Sequence, residues 1–409
     1  MYYDLSEKRE LDFVEGINPD FVGLFFRGGH CYVAFPYGYQ LAGTTDRKMK
    51  LDVRALLSTV VLTKRNYPGF VDSPNLENNL RSYEPYIEVI EDYLLHGAYH
   101  EIYSEIGERR IGRCDWEKTF QGKKLIGEDS VYFQNPKYKI PNSRRSPITD
   151  IQFYCLHIAK ERIGILFDDF SVPRPSITQD DIPHYLFFIK EKLSHSYLDR
   201  EKKLLMCLVA ILEGTSGNPT SRSRDIGTTN YHVVWENTLR SLYGNRTEKD
   251  FCPEARYRLV EMPGEAKSSS LRPDIIRLEG SNLYILDAKY YRYGCVMPRD
   301  PHLLPNTESV TKQFAYARYG LKRQCGSSAF DSSHIFNAFI LPSNEPGVPY
   351  YGYGSMEEVE AVPPEQRNSF SRVYLFGLNT NQVIADYLKS KHGLEDLITE
   401  IDRIHSISK

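Results

Sequence analysis

No stretch of this chain approaches the ~20 consecutive apolar residues that a membrane span requires. The first ten residues, Met1 to Glu10, carry no apolar run of the kind a secretory signal needs, so a cytoplasmic setting is expected. Seven cysteines, Cys31, Cys114, Cys155, Cys207, Cys252, Cys295 and Cys325, include no close pair. That spacing argues against a zinc cluster and against a dense disulfide framework, and it suits a reducing compartment. Cationic excess is also missing: the formal net charge is -3. Any nucleic acid would have to be held by local Arg and Lys clusters rather than by a global field. The sequence holds no G-x-x-x-x-G-K-[ST] phosphate loop, which excludes a P-loop motor, and it shows no internal repeat or long low-complexity tract.

What is present is enough for real cores. At 409 residues and 41% hydrophobic content, two domains are the default expectation. Most of the 30 tyrosines are expected in cores and interfaces, although some could stack on bases. A hairpin is expected where Phe21 to Phe26 and Cys31 to Phe35 flank Gly28-Gly29, followed by helices near 51–64 and 80–95. Residues 136–147 turn polar, a loop-like stretch with Lys137, Lys139, Arg144 and Arg145 that reads as a candidate DNA-contacting loop or, in the favoured reading, a solvated one. Apolar spacing returns over 148–167, and a helical pair fits 181–212. Gly214-Thr215-Ser216-Gly217-Asn218-Pro219 and the Ser/Thr/Arg run after it form the clearest breaker region. The expected division is therefore a first region, 1–210, and a second, 211–409, with the boundary between about 195 and 225.

The densest signal lies in the second region. Pro273-Asp274-Ile275-Ile276-Arg277-Leu278 and Leu283-Tyr284-Ile285-Leu286-Asp287-Ala288-Lys289 flank the turn Glu279-Gly280-Ser281-Asn282. With Gly280 and Ser281 at its centre, the hairpin places Asp274 directly opposite Asp287. Opposed side chains have Cβ atoms about 4.5–5.5 Å apart, and like charges there are destabilising unless compensated. Lys289, two residues beyond Asp287, shares that face. Both faces of 283–286 are apolar, which marks a buried strand, and buried unpaired carboxylates are costly. Two hard oxygen ligands beside a lysine suit Mg²⁺ and an activated water.

Two helices are expected to complete the site. After Thr229-Asn230, the residues Val234, Trp235, Leu239, Leu242 and Tyr243 follow helical spacing up to Gly244. Glu236 sits beside that stripe, where it can pair with Arg240 at i,i+4 on the helix surface. Thr307 can cap a second helix through Val310, Phe314, Ala317 and Leu321, which leaves Gln313 and Tyr316 on a neighbouring face. Lys312, Arg318, Lys322 and Arg323 read as a solvated basic face with some capacity for phosphate.

Pro273-Asp274 followed by Asp287-Ala288-Lys289 resembles the PD-(D/E)xK nuclease signature. Together with Tyr231-His232-Val233-Val234-Trp235-Glu236-Asn237-Thr238-Leu239 and Thr311-Lys312-Gln313-Phe314-Ala315-Tyr316, it resembles the LlaJI family of restriction endonucleases. Gly112-Arg113-Cys114-Asp115-Trp116-Glu117-Lys118-Thr119 resembles a Gly-Arg-x-x-Trp-x-x-Thr element of that family and of the related McrC nuclease subunits. The resemblance implies an α/β (α+β) protein: a PD-(D/E)xK restriction-endonuclease-like C-terminal domain, its mixed central sheet flanked by helices, after an α+β N-terminal domain for DNA recognition or partner binding. It implies a type II enzyme of a restriction-modification system, active in phage defence, that hydrolyses double-stranded DNA at a specific sequence and leaves 5′-phosphates. Asp274, Asp287, Lys289, Glu236 and Gln313 would be catalytic, with Mg²⁺ held by Asp274, Asp287, the Ala288 carbonyl and Glu236. Expected partners are double-stranded DNA, a second copy or a partner nuclease/GTPase subunit, and a cognate DNA methyltransferase, with no membrane. The competing readings are an McrC-like subunit driven by a separate GTPase, a repair exonuclease, and a non-catalytic DNA-binding protein.

Overall fold

The computed structural model describes residues 2–15, 17–43, 45–67, 84–127, 129–177, 181–215, 225–246, 251–258, 260, 265–267, 270–321, 324–325, 328–357, 371–392 and 394–407. Most of the breaker run, 216–224, and both Lys322 and Arg323 lie outside these residues. The chain divides into two compact units, one of Met1–Arg81 with Ser223–Lys409, the other of Ser82–Arg222.

The first unit begins with strands β1 (Tyr2–Asp4), β2 (Arg9–Leu11), β3 (Val22–Arg27) and β4 (His30–Ala34), then helix α1 (Asp46–Asn66). β3 and β4 are the expected hairpin, and α1 extends beyond 51–64 at both ends. Strand β5 (Ile226–Thr228) then pairs antiparallel with β3, giving the order β5-β3-β4-β1-β2. Two glycines make that pairing close. Gly23 has φ +143°, and a Cβ there would lie 2.2 Å from the Ile226 carbonyl oxygen. Arg27 donates to both Asp225 carboxylate oxygens, at 2.9 and 2.8 Å. Where the sequence suggests one cut at 210/211, this ladder places 1–81 with 223–409.

The same unit continues through α2 (Tyr231–Tyr243), β6 (Ile275–Glu279), β7 (Asn282–Ala288), α3 (Thr307–Gly320), β8 (Ile335–Ser343), β9 (Tyr350–Gly354), β10 (Val373–Asn379), α4 (Thr380–Leu388) and α5 (Asp396–Ile407). The sheet order is β6-β7-β8-β10-β9. Its pairs β6/β7 and β9/β10 are antiparallel, whereas β7/β8 and β8/β10 are parallel, so the sheet is mixed. Successive β7 residues alternate between two cores. Tyr284 and Leu286 pack with Trp235, Leu239, Ile398 and Ile401, while Leu283 and Ile285 pack with Tyr316 and Ala317 of α3. Each such buried side chain contributes roughly 1.5–3 kcal/mol, and burial on both faces fixes the register of β7. Asn306 rather than Thr307 caps α3, accepting from the Ser309 amide at 3.0 Å. The asparagine carbonyl reaches the open amide better placed by one residue.

The second unit packs helix Glu84–His96 on Pro147–Ile163 and Asp199–Thr215, with Ile182–His195 against the last. The helix expected over 80–95 is described from Glu84, residue 80 lying outside the described residues. Strands Glu101–Gly107, Tyr138–Arg144 and Arg113–Cys114 form a small antiparallel sheet, with Tyr138–Arg144 in the middle. The polar segment expected as a loop is thus a strand. Its lack of alternation reflects acidic neighbours rather than a core: Lys137 pairs with Glu108 at 2.7 Å, Lys139 with Asp115 at 3.8 Å, and Arg145 with Asp150. In the Gly112–Thr119 element, Thr119 is buried and its hydroxyl accepts from the Lys137 amide at 2.9 Å. Trp116 is exposed beside Phe120 and Phe133. Among the described residues no helix is long and apolar enough to cross a membrane.

Candidate active site

The turn at Gly280, φ +56°, sets the hairpin ladder: Ile275 faces Leu286, Ile276 faces Ile285 and Glu279 faces Asn282. Continuing that register past the end of β6 brings Asp274 level with Asp287, on the α3 side of the sheet. The Ala288 amide donates to Asp274 Oδ2 at 2.8 Å. The Lys289 amide donates to the Ile340 carbonyl at 2.9 Å, so the extended path runs on past β7 and returns Lys289 to the face of Asp287. Their side chains form a tight ion pair, and the ammonium lies 5.7 Å from the Phe339 ring centre.

Electrostatics follow from this burial. Desolvation, then the charges of Asp287 and Glu236, push the Asp274 carboxyl well above the ordinary aspartate value of 3.8. Desolvation also raises Asp287, although the Lys289 charge and the Gln313 amide oppose it. Lys289 is pulled down by burial but raised further by Asp287 and Asp274, so it is held as an ammonium. One lysine leaves the pair of carboxylates short of positive charge, which is the condition a bound cation would relieve.

Glu236 is placed by an arginine the sequence reading treated only as a competing partner. Arg240 donates from Nη2 to Glu236 Oε1 at 2.7 Å, from Nη1 to Asn237 Oδ1 at 2.8 Å, and from Nε to the Asp274 carbonyl at 2.8 Å. Its fork thus ties the α2 acid to the turn that carries Asp274. The Glu236 charge reaches Asp274 and helps to raise its carboxyl. We expect Arg240→Lys, which can satisfy one of these three acceptors, to lower stability by about 1–3 kcal/mol. It should also cut activity and raise the Mg²⁺ concentration needed by about 10–100-fold, checked by urea unfolding and Mg²⁺ titration.

Gln313 is completely buried. It lies near enough to Asp287 to favour its charged form, yet neither end of its amide completes a hydrogen bond of good geometry. A buried amide left open at a pair of carboxylates calls for water or an ion. Tyr316 donates to the Arg272 carbonyl at 2.9 Å and so braces the approach to Asp274. Lys312 pairs with Glu308 at 2.6 Å, and its charge still favours ionised Asp287.

A second acid and histidine group was not foreseen: Asp4, Glu7 and His30. His30 Nδ1 lies 3.2 Å from Asp4 Oδ2 and 3.9 Å from Glu7 Oε1. Asp4 Oδ1 already accepts from the Ser6 and Glu7 amides at 2.8 and 3.1 Å. The group lies at the ends of the neighbouring strands β1 and β4, on different strands from the hairpin, and His30 Nδ1 completes no hydrogen bond of good geometry there.

The raised aspartates make a stability prediction with a definite sign. A carboxyl whose folded pKa exceeds its unfolded value binds more protons when folded, so stability falls as pH rises from about 4 through the folded pKa. In chelator at pH 8 we expect Asp274→Asn to melt roughly 2–4 °C above the parent, with a flatter pH dependence. Scanning calorimetry between pH 5 and 8 checks this, and a lower melting temperature for the variant would contradict the proposed charge crowding.

A family model described as LlaJI restriction endonuclease matches residues 47–357, more than half of the chain. No curated protein matches it. Among solved structures it is similar to a chain of the assembly described as the refined half-complex of Thermococcus gammatolerans McrB AAA+ hexamers with bound McrC. The identity is 10% and the TM-score 0.29, with 90% of this chain and 84% of that one covered.

Proposed function

Since the chain belongs to the LlaJI restriction endonuclease family, and is by that membership a restriction-type nuclease, we propose that the β6–β7 hairpin is its catalytic centre. We assign it Mg²⁺-dependent hydrolysis of double-stranded DNA at a specific sequence, as a type II enzyme in a restriction-modification system directed at phage. The observation that carries this reading is Asp274, Asp287 and Lys289 on one buried face, with too little positive charge between them.

Asp274, Asp287 and the Ala288 carbonyl would hold the cation, with Glu236 contributing through water, since Mg²⁺ keeps several of its waters. When bound, the ion supplies Lewis-acid stabilisation of the phosphoryl oxygens and lowers the pKa of water. Lys289, an ammonium, orients the attacking water and offsets the charge that grows on the phosphorane. Gln313 presents its open amide to the same space and steadies Asp287. Arg240 and Tyr316 act on none of the reacting atoms; they position Glu236 and the Asp274 turn.

Within residues 1–210, outside this site, recognition or partner contact falls chiefly to the unit Ser82–Arg222. Cutting both strands needs two such centres, hence a second copy or a partner subunit, and a DNA methyltransferase to protect the host's own sites. The test is incubation of unmethylated, covalently closed plasmid with the purified chain and Mg²⁺, with a chelator control. Discrete fragments bearing 5′-phosphates are the expected product. Cleavage unaffected by chelator would end the metal reading. Cleavage only when a GTPase partner and GTP are added would move the chain to the McrC-like class, which the absence of a phosphate loop in this sequence allows.

A further inference from the structure

Beside the hairpin, in the same unit, lies a cavity of about 380 Å³, a size in the usual range for small-ligand sites of about 300–1,000 Å³. Its wall includes Tyr2, Asp20, Tyr37, Asn230, Tyr290 and Tyr291. Three observations define what fits.

The first is position. Tyr290 and Tyr291 directly follow Lys289, and His232, which also lines the cavity, is one helical turn before Glu236 on α2. Residues four apart on a helix are about 5–6 Å apart, which is one to two nucleotide steps of roughly 3.4 Å. Two separate elements therefore run from this cavity into the catalytic centre.

The second is the shape of the wall. The Tyr37 and Tyr290 rings stack, with centres 4.6 Å apart and planes 16° from parallel, and Tyr231 leans on Tyr290 at 5.2 Å. Tyr290 is pinned by the Tyr37 amide, which donates to its hydroxyl at 2.8 Å. With the Arg292 guanidinium 5.6 Å from the Tyr37 ring centre as well, these rings hold the wall rigid, and the lining aromatics Tyr2 and Tyr291 offer flat surface to the π-system of a base.

The third is charge. Among the described residues no Lys or Arg lines the cavity, and one carboxylate, Asp20, does. Its charge bears on the Tyr2 and Tyr37 phenols, which burial has already raised, while Arg292 acts on Tyr37 in the opposite sense. A phosphate would find no basic side chain lining the cavity. An amino group on a neutral ring would be welcomed, because a carboxylate accepts from the exocyclic amine of cytosine or adenine, and thymine offers none.

We propose that this cavity receives a base drawn out of the strand being cut, within a step or two of the scissile phosphate, and that Asp20 favours bases carrying an exocyclic amine. Enzymes that handle DNA extrude bases into such pockets, at an unstacking cost that a single strand avoids. The inference rests on the hairpin being the nuclease centre, and the two can fail separately.

The test uses the full chain carrying Asp287→Ala, so that DNA is bound without being cut, and single-stranded probes that need no extrusion. Fluorescence anisotropy is read with labelled oligo(dC), oligo(dA), oligo(dT) and an abasic oligomer of the same length. Oligo(dC) and oligo(dA) are expected to bind about tenfold more tightly than oligo(dT) or the abasic strand. Adding Asp20→Ala, at an exposed position, removes the acceptor and should erase the preference over oligo(dT) while leaving the melting temperature in place. Equal affinity for all four probes overturns the pocket, and a preference that survives Asp20→Ala overturns the part given to Asp20. Free deoxycytidine binding as tightly as the oligomer assigns the cavity to a diffusible nucleoside and overturns the strand reading. Base preference in a chain whose parent never cleaves keeps the cavity as a base receptor and removes only the nuclease centre.

Discussion

Asp287→Ala is expected to abolish cleavage, a fall of at least about 10³-fold in turnover, while most DNA binding survives. Asp287 is the most buried of the candidate ligands, 7% exposed on a strand packed on both faces. Its carboxylate is the point where Lys289 and Gln313 converge. Truncation would remove a proposed cation ligand, free the lysine from its partner and leave the Gln313 amide facing a void. None of these changes touches a base, so affinity for DNA in chelator should move less than about threefold, in keeping with the dominance of phosphate contacts elsewhere on such proteins. Plasmid nicking and filter binding on the same preparations separate the two effects. Mg²⁺ should raise the melting temperature of the parent, because a ligand that binds only the folded state stabilises it. The variant should show no such rise. Cleavage within tenfold of the parent would sink the site.

Lys289→Met should lower turnover by about 10²–10³-fold and, unlike Asp287→Ala, keep a measurable Mg²⁺-dependent thermal shift. Methionine keeps the apolar stem and loses the charge. The ammonium currently holds down the pKa of both aspartates; without it, both rise further. Because the carboxylates must ionise to hold a cation, the acid limb of the pH–rate profile should move to higher pH in the variant, and part of the lost activity should return with alkali or with more Mg²⁺. A merely structural lysine would give a uniform loss at every pH. Lys289→Arg tests the same point from the other side, since it restores charge with the wrong shape.

The hairpin was legible because its information is local. A glycine turn and two short apolar runs suffice to set which residues face each other, and the ladder from Ile275–Leu286 to Glu279–Asn282 needs nothing from the rest of the chain. Helix α2 was legible for the same reason, its apolar stripe running from Val234 to Tyr243 between Asn230 and Gly244. Arg240 was not, because an i,i+4 acid-base pair on a helix looks alike whether it faces solvent or reaches across to the carbonyl of Asp274. Tyr138–Arg144 was misread as a loop because its sequence sustains no polar–apolar alternation, and Lys139 within it pairs with Asp115. The β3–β5 ladder left no trace at all. Three short residues, Ile226, Gly227 and Thr228, carry no strand signal of their own, and their glycine matters only once Gly23 is known to lie against it.

That last pairing also sets a timetable for the ribosome. Leu24 waits for Ile226, roughly 200 residues of synthesis, or about 10–40 s at 5–20 residues per second. Throughout that interval the N-terminal sheet has one edge without its final strand, and the candidate hairpin, later still, has not emerged. A chain that stops before Ile226 therefore carries an open sheet edge and none of Asp274, Asp287 or Lys289.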